Sequence, residues 1–372
     1  MKRPIFAFRY VFYATCAALS LVLLWPPAGG AQQGEAAQQP EIVYPDTTWM
    51  QYATPDAAGW SSEGIAAARA HADSLGVKAA MLIHRGAIVT AWGRTRELAP
   101  IASIRKSLFS ALIGIAVAEG EIDTTATMAD LGIDDTPPLT RAEKQARVAD
   151  LLTTSSGIYH EAAGESPQNE KPERGSAAPG TQWYYNNWDF NALGTIYEQE
   201  TGTRVYEALD AQIAEPIGME DYAPGWGSYR LHPDRSEHPS YPLWMTARDM
   251  ARFGLLYLQE GRWRDRQVVP AEWVAASRRI HIDVPYEPVA GYGLSWWIPS
   301  GPLRAYGTYL ASGAGSQTIM IVPELDIVFV LRATAILNRG VNGLEVRDIL
   351  MRLLEARTGT AVASPERIPW VE

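Results

Sequence analysis

Two short runs of apolar positions, Ala80 to His84 and Ala87 to Gly93, flank the turn pair Arg85-Gly86 and predict a β-hairpin early in the chain. Just upstream, Ser61 or Ser62 caps a helical pattern that reaches about Leu75. From Ser103 to about Tyr257 the periodicity is mostly helical. Leu108 to Ala118 is apolar on every side, which predicts a helix buried all round and ended at Gly120. Thr140 and Glu143 form a capping box ahead of "VADLLTTSSG", and helical pattern resumes at Phe190 to Gln199 and at Thr246 to Gln259. Strand-like runs return late, in "YGLSWWIP", "AYGTYLASG", "SQTIMIVPE" and "DIVFVLRAT", before a closing helix from Leu344 to Arg357. Strands at both ends with helices between predict an α+β fold. Its antiparallel sheet is built from both chain ends and flanked by helices, with a mainly helical region inserted over about 103–257, and the crevice between the two is the natural place for a site.

The first residues follow another logic. Lys2, Arg3 and Arg9 precede an apolar run from Tyr10 to Trp25, then Pro26-Pro27 and the small residues Ala28 to Ala31, which reads as a secretory signal over 1–31. The run is shorter than the roughly 20 residues of a spanning helix, so no stable membrane insertion is expected after cleavage, and the destination is periplasmic or secreted. Residues 32–45 form a flexible leader rich in Gln, Ala, Glu and Pro, 46–360 the folded domain, and 361–372 a tail. Cys16, the sole cysteine, falls within the signal, which excludes a disulfide framework, a thiol nucleophile and a cysteine metal site from the mature protein. Between Ile158 and Pro179 a polar, Pro- and Gly-bearing stretch is too long for a plain connection and is a candidate rim or lid. A net charge of −10 gives no footing for nucleic acid, and thirteen Trp with seventeen Tyr suit an aromatic-lined cleft.

Arg105 and Lys106 stand at the front of the apolar helix, where the partial positive charge of free N–H groups disfavours cations. Ser103 lies three positions before Lys106, so the two side chains share a face. A serine hydroxyl needs a base to become a nucleophile, and a lysine is that base only where burial, a neighbouring cation or a positive helix end destabilises its ammonium form. The feature that harms the helix helps the chemistry. The same helix end can aim backbone N–H groups, including that of Ser103, at a developing oxyanion. Other chemistries lack their residues. "HEAAG" at His160 has no second histidine for a zinc motif, His232 and His238 flank "PDRSE" as a solvated loop, and neither a G-x-S-x-G elbow nor a phosphate loop occurs. No metal and no organic cofactor is expected.

A second signal, Tyr185-Asn186-Asn187 in "PGTQWYYNNWDFNALG", has the form Tyr-x-Asn before a helix. With Ser103-x-x-Lys106, and with "LLTTSSGIY", "EPIGME", "MTARDMARFGLLYLQEGRW", "VVPAEWV" and "GYGLSWW", the chain resembles the serine β-lactamase-like superfamily over about Trp49 to Arg357. The likeness is to its class C-like branch of esterases, D-amino-acid peptidases and aminohexanoate-oligomer hydrolases. The resemblance implies that Ser103 is the acylated nucleophile, Lys106 its proton partner, Tyr185 the relay to the leaving group and Asn187 a polar partner in the cleft. A phenol beside two cations is expected to titrate low. The superfamily's third motif, Lys-Thr-Gly or His-x-Gly, falls on Ala311-Ser312-Gly313, which keeps a hydroxyl and the glycine and lacks the cation. Ala311, Ser312 and Gly313 are thus expected to border the substrate, and the N–H of Ala314 to join that of Ser103 as an oxyanion donor. The expected function is an exported serine hydrolase acting on a small ester, amide or peptide. The alternatives are a peptidase or β-lactamase on cell-wall-type substrates and, from another class, a catalytically silent binding or sensor protein. The oligomeric state is not legible.

Overall fold

The structure, a computed structural model, describes residues 42–165, 170–333 and 341–367. The chain divides into units 1–40 and 41–372, and every described residue belongs to the second. The signal expected over 1–31, most of the leader and the end of the tail lie outside the described residues. No helix among the described residues is long and apolar enough to cross a membrane.

An eight-stranded antiparallel sheet forms the frame. Its strands are β1 (Val77–His84), β2 (Ala87–Gly93), β3 (Ile282–Asp283), β4 (Val289–Tyr292), β5 (Trp297–Pro299), β6 (Tyr309–Gly313), β7 (Gln317–Val322) and β8 (Ile327–Ala333), in the spatial order β2-β1-β8-β7-β6-β5-β4-β3. The two chain ends meet where β1 pairs with β8, from Val77 opposite Ala333 to His84 opposite Ile327. Both faces are covered, which is why β8 is buried at all seven positions and its sequence reads as an apolar run broken only by Arg332. On one face α1 (Ser62–Ser74) and α5 (Gly343–Glu355) pack over Ala80, Leu82, Phe329 and Leu331. On the other, Met81, Ile83, Val328 and Val330 meet the core of α2 (Ile104–Ala118), α3 (Asn187–Thr201) and α4 (Ala247–Leu258). Gly254 permits that closeness, since an added Cβ would stand 2.5 Å from Val328 Cγ1.

The elements follow the sequence signals closely, with local differences. Ser61 caps α1 by accepting from the Gly64 N–H at 3.1 Å, and Thr246 caps α4 by accepting from Asp249 at 3.2 Å. The Thr140–Glu143 box is present, with Glu143 Oε2 accepting from the Thr140 N–H at 2.7 Å and Thr140 Oγ1 from the Glu143 N–H at 3.2 Å. It closes only a 3₁₀ turn, Glu143–Gln145, because Ala146 turns extended before a separate helix at Val148–Leu152. α3 starts three residues before its expected first position because Asn186 caps it, accepting from Trp188 at 3.2 Å. Within the polar stretch after Ile158, Lys171 donates to the His160 carbonyl at 2.7 Å and pairs with Glu165 at 2.7 Å, and Arg174 pairs with Glu143 at 2.7 Å.

His84 ends β1 with 4% exposure, its ring edge-on to Trp60 at 4.9 Å and both ring nitrogens without partners among the described residues. Burial, aided by the charges of Arg357 and Arg85, lowers its pKa from 6.5 to about 4. Between those values the unfolded chain binds a proton that the folded chain refuses, so the stability that neutral His84 provides is present above pH 6.5 and is lost as pH falls toward 4. The full effect is on the order of 3 kcal/mol. Differential scanning calorimetry from pH 7 to pH 4 should therefore show a steeper fall in melting temperature for the wild type than for His84→Leu.

Candidate active site

The cleft is assembled where β6 ends against the start of α2. Ala102 takes a left-handed φ of 49°, an uncommon conformation for a residue with a Cβ, and turns the chain into the helix. Ser103 occupies the cap position but its side chain makes no capping bond, so the hydroxyl is free for another partner. Gly313 closes in from the sheet: an added Cβ there would lie 2.5 Å from the Ile101 carbonyl oxygen and 2.9 Å from the Ser103 nitrogen. Only a residue without a side chain fits. Among the described residues, neither the Ser103 N–H nor the Ala314 N–H donates a hydrogen bond. Two backbone N–H groups without a backbone acceptor thus stand where strand and helix meet.

Lys106 is 2% exposed, and its Nζ donates to Tyr185 Oη at 2.8 Å and to Asn187 Oδ1 at 2.7 Å. The rings of Tyr185 and Phe190 each lie 4.1 Å from the same nitrogen. Burial first, and the neighbouring Arg105 charge second, hold the Lys106 ammonium well below its ordinary pKa, against the opposing pull of Asp189. The expectation of a low-titrating phenol at Tyr185 is corrected: burial pushes it up to about 12, while a hydrogen bond from the Ser103 hydroxyl and the Arg105 charge pull the other way without prevailing. Desolvation of a phenolate in an aromatic setting outweighs its cationic neighbours. The phenol is therefore held in its protonated form.

The remaining expected residues divide by strand alternation. β5 pairs with β6 only at Trp297 opposite Leu310, so the edge of β6 beyond Leu310 is left unpaired by β5. Gly313 shares a face with Ala311, which is fully buried in the core beneath the cleft, while Ser312 faces the other way. Ser312 lines a cavity of about 280 Å³ with Leu310, Met320, Trp297, Tyr286 and Arg347. The solvated loop expected at His238 is corrected: His238 lies buried in the strand Ser236–Ser240, and His160 and His238 flank the Trp188 ring at 6.4 and 5.3 Å and bond backbone carbonyls at Pro137 and Asp134. Among the described residues no three His, Cys, Asp or Glu side chains converge as metal ligands would.

Several residues of the site escaped the sequence reading. Trp297 stacks on Tyr185 at 5.3 Å and 23°, and Trp183 meets Trp297 and Tyr286 at 5.8 and 5.6 Å, forming an aromatic wall. Asp189 is completely buried, accepts from Ser156 at 2.6 Å and from Asn186 at 2.8 Å, and is pushed well above the usual carboxylate range by burial. Phe190 had a signal, since it lies three positions after Asn187 on one helix face. Arg105 does not join Lys106. Its guanidinium sits 4.2 Å over the Tyr241 ring and forms no ion pair among the described residues.

The family model described as Beta-lactamase matches residues 65–345. An uncharacterized protein of Alkalihalophilus pseudofirmus is 25% identical over 288 residues, 67% of this chain and 81% of the relative. The D-aminopeptidase of Brucella anthropi is 31% identical over 137 residues, which are 32% of this chain and 25% of that protein. A Bacillus anthracis structure assigned as a 6-aminohexanoate-dimer hydrolase superposes with a TM-score of 0.61 at 21% identity, covering 77% of this chain and 80% of its own, a likeness of fold.

The narrow gap at Gly313 yields a direct test. Gly313→Ala must move the Ile101–Ser103 backbone or the end of β6 by several tenths of an ångström, and hydrolytic turnover should fall at least tenfold. Circular dichroism and thermal melting are expected to stay within a few degrees of wild type, because the clash is confined to the cleft.

Proposed function

The chain belongs to the Beta-lactamase family, and from that premise we propose that it is a serine hydrolase that cleaves an ester or amide through an acyl-enzyme on Ser103. The observation that carries the reading is the Lys106 nitrogen, buried and bonded to Tyr185 and Asn187 one helical turn from the Ser103 hydroxyl. Burial favours a neutral amine, and a neutral amine can accept a proton. Tyr185 connects the two groups. As Ser103 Oγ attacks the substrate carbonyl, its proton passes to Tyr185 Oη while the phenol proton passes to Lys106 Nζ. A concerted transfer suits a phenol whose pKa is pushed up to about 12, because no free phenolate need accumulate. Asn187 holds the lysine in line, and the N–H groups of Ser103 and Ala314 receive the oxyanion. The leaving group takes the proton back through Tyr185, and water releases the acyl group by the reverse route.

The substrate class follows from the third motif. Ala311 is an apolar core residue where a cation would be needed to fix a carboxylate beside the nucleophile. The aromatic wall of Trp183, Trp297 and Tyr286 offers apolar contact instead. We therefore assign neutral esters and amides as the preferred substrates, with export supported by the signal pattern at 1–31.

Treatment with a fluorophosphonate probe should add one adduct by intact mass, mapped to Ser103 and absent from Ser103→Ala. An adduct on Ser155, Ser156 or Ser312 would overturn the assignment. Lys106→Met and Tyr185→Phe should each lower kcat about a hundredfold or more while the protein still melts cooperatively. Because catalysis needs the unprotonated amine, kcat/KM should also fall on the acid side of the profile. On a panel of substrates, kcat/KM for the best neutral ester should exceed that for a penicillin by roughly ten- to a hundredfold, the value of one missing charge-assisted hydrogen bond.

A further inference from the structure

A second cavity, of about 260 Å³, lies away from the Ser103–Lys106 pair, against the ends of β1, β7 and β8. Three cations contribute to it, Lys78, Arg94 and Arg332, with one carboxylate, Glu97. Arg332 is the fixed element. It is 5% exposed, its Nε donates to Gln317 Oε1 at 3.1 Å, and its Nη1 donates to the carbonyls of Glu97 and Met245 at 2.7 and 3.2 Å. Every one of those acceptors is uncharged, and Nη2 has no partner among the described residues. The other well-buried arginines differ: Arg248 pairs with Glu220 and Asp221, and Arg252 with Glu220. The Glu97 carboxylate is occupied by Arg94 at 3.1 Å, and Lys78 forms no ion pair among the described residues. The Glu97 charge acts on Arg332 without forming an ion pair and does not outweigh its burial, and a buried cation so weakly compensated is costly unless an anion supplies more.

We propose that this cavity binds a small dicarboxylate. A planar guanidinium with a spare nitrogen matches a carboxylate, and the excess of cations over acids in the lining favours two negative charges over one. The wall between them is made of Ala79, Ala99, Pro100 and Ala333, small apolar surfaces that suit a short methylene chain and give a tetrahedral phosphate nothing to bond. The cavity volume is close to the lower end of the range for small-molecule sites, which fits a ligand of four or so carbons. The site stands independently of the catalytic reading, although Ala99 and Pro100 lead directly into Ile101–Ser103 and Gln317 pairs with Gly313.

Isothermal titration of the purified protein with succinate, acetate and inorganic phosphate, at constant ionic strength, tests it. Succinate should bind saturably at one site, more tightly than acetate or phosphate, and equally in Ser103→Ala. The Lys78→Glu/Arg94→Glu double variant, which alters only surface side chains, should weaken succinate binding at least tenfold, and Arg332→Gln should do the same where it folds. Absence of a succinate isotherm, unchanged affinity in the double variant, or tighter binding of phosphate would each overturn the proposal.

Discussion

Everything in the cleft depends on one amine being kept from water. An ammonium buried as Lys106 is must either lose its charge or be surrounded by acceptors, and two residues of a distant segment supply those acceptors. The bonds to Tyr185 and Asn187 tie the first turn of α2 to the first turn of α3, and the ring of Phe190 closes the remaining side. The start of α3 is in turn fixed by Asn186, which caps the helix and donates to the Ile158 carbonyl at 2.7 Å. A polar network this enclosed has few alternative arrangements, which is what a proton relay of the proposed kind requires.

Arg105 shows how a locally unfavourable residue is accommodated. A cation in the first turn opposes the helix dipole at a cost of about 0.3–1 kcal/mol. Here the guanidinium lies over Tyr241, an attraction that offsets part of that cost without neutralising the charge. A carboxylate partner of the kind that Arg248 has would cancel its field. Left unpaired by any acid among the described residues, Arg105 still acts on Lys106, second only to burial in lowering its basicity.

The hairpin, the buried helix and the late strands were legible because both faces of the sheet are covered, leaving apolar runs bounded by turn residues. The Ser103, Lys106, Tyr185 and Asn187 positions were also legible, since each belongs to a short motif at a helix start, and the structure brings Lys106, Tyr185 and Asn187 into contact. What the sequence hid was environment. Whether a phenol titrates low or high depends on which rings surround it, and Trp297 and Tyr292 reach Tyr185 from more than a hundred positions along the chain. The opposed facing of Ala311 and Ser312 was implicit in strand alternation, but which side met the cleft could not be decided until Gly313 was seen against Ser103. The Thr140–Glu143 box shows the reverse case: local chemistry was read correctly and the helix it announced was shorter.

The pairing of β1 with β8 has a consequence for how the molecule is made. Val77 cannot find Ala333, nor His84 Ile327, until almost the whole domain has left the ribosome. Until then the hairpin of β1 and β2 presents the unpaired edge of β1 and two apolar faces, and closing the sheet means closing a loop that contains the entire helical region. Such long-range contacts make folding slow and leave the early strands open to wrong partners. The helices within that loop need no contact with β8 to form their own backbone bonds, so the pairing of β1 with β8 is the step that must wait.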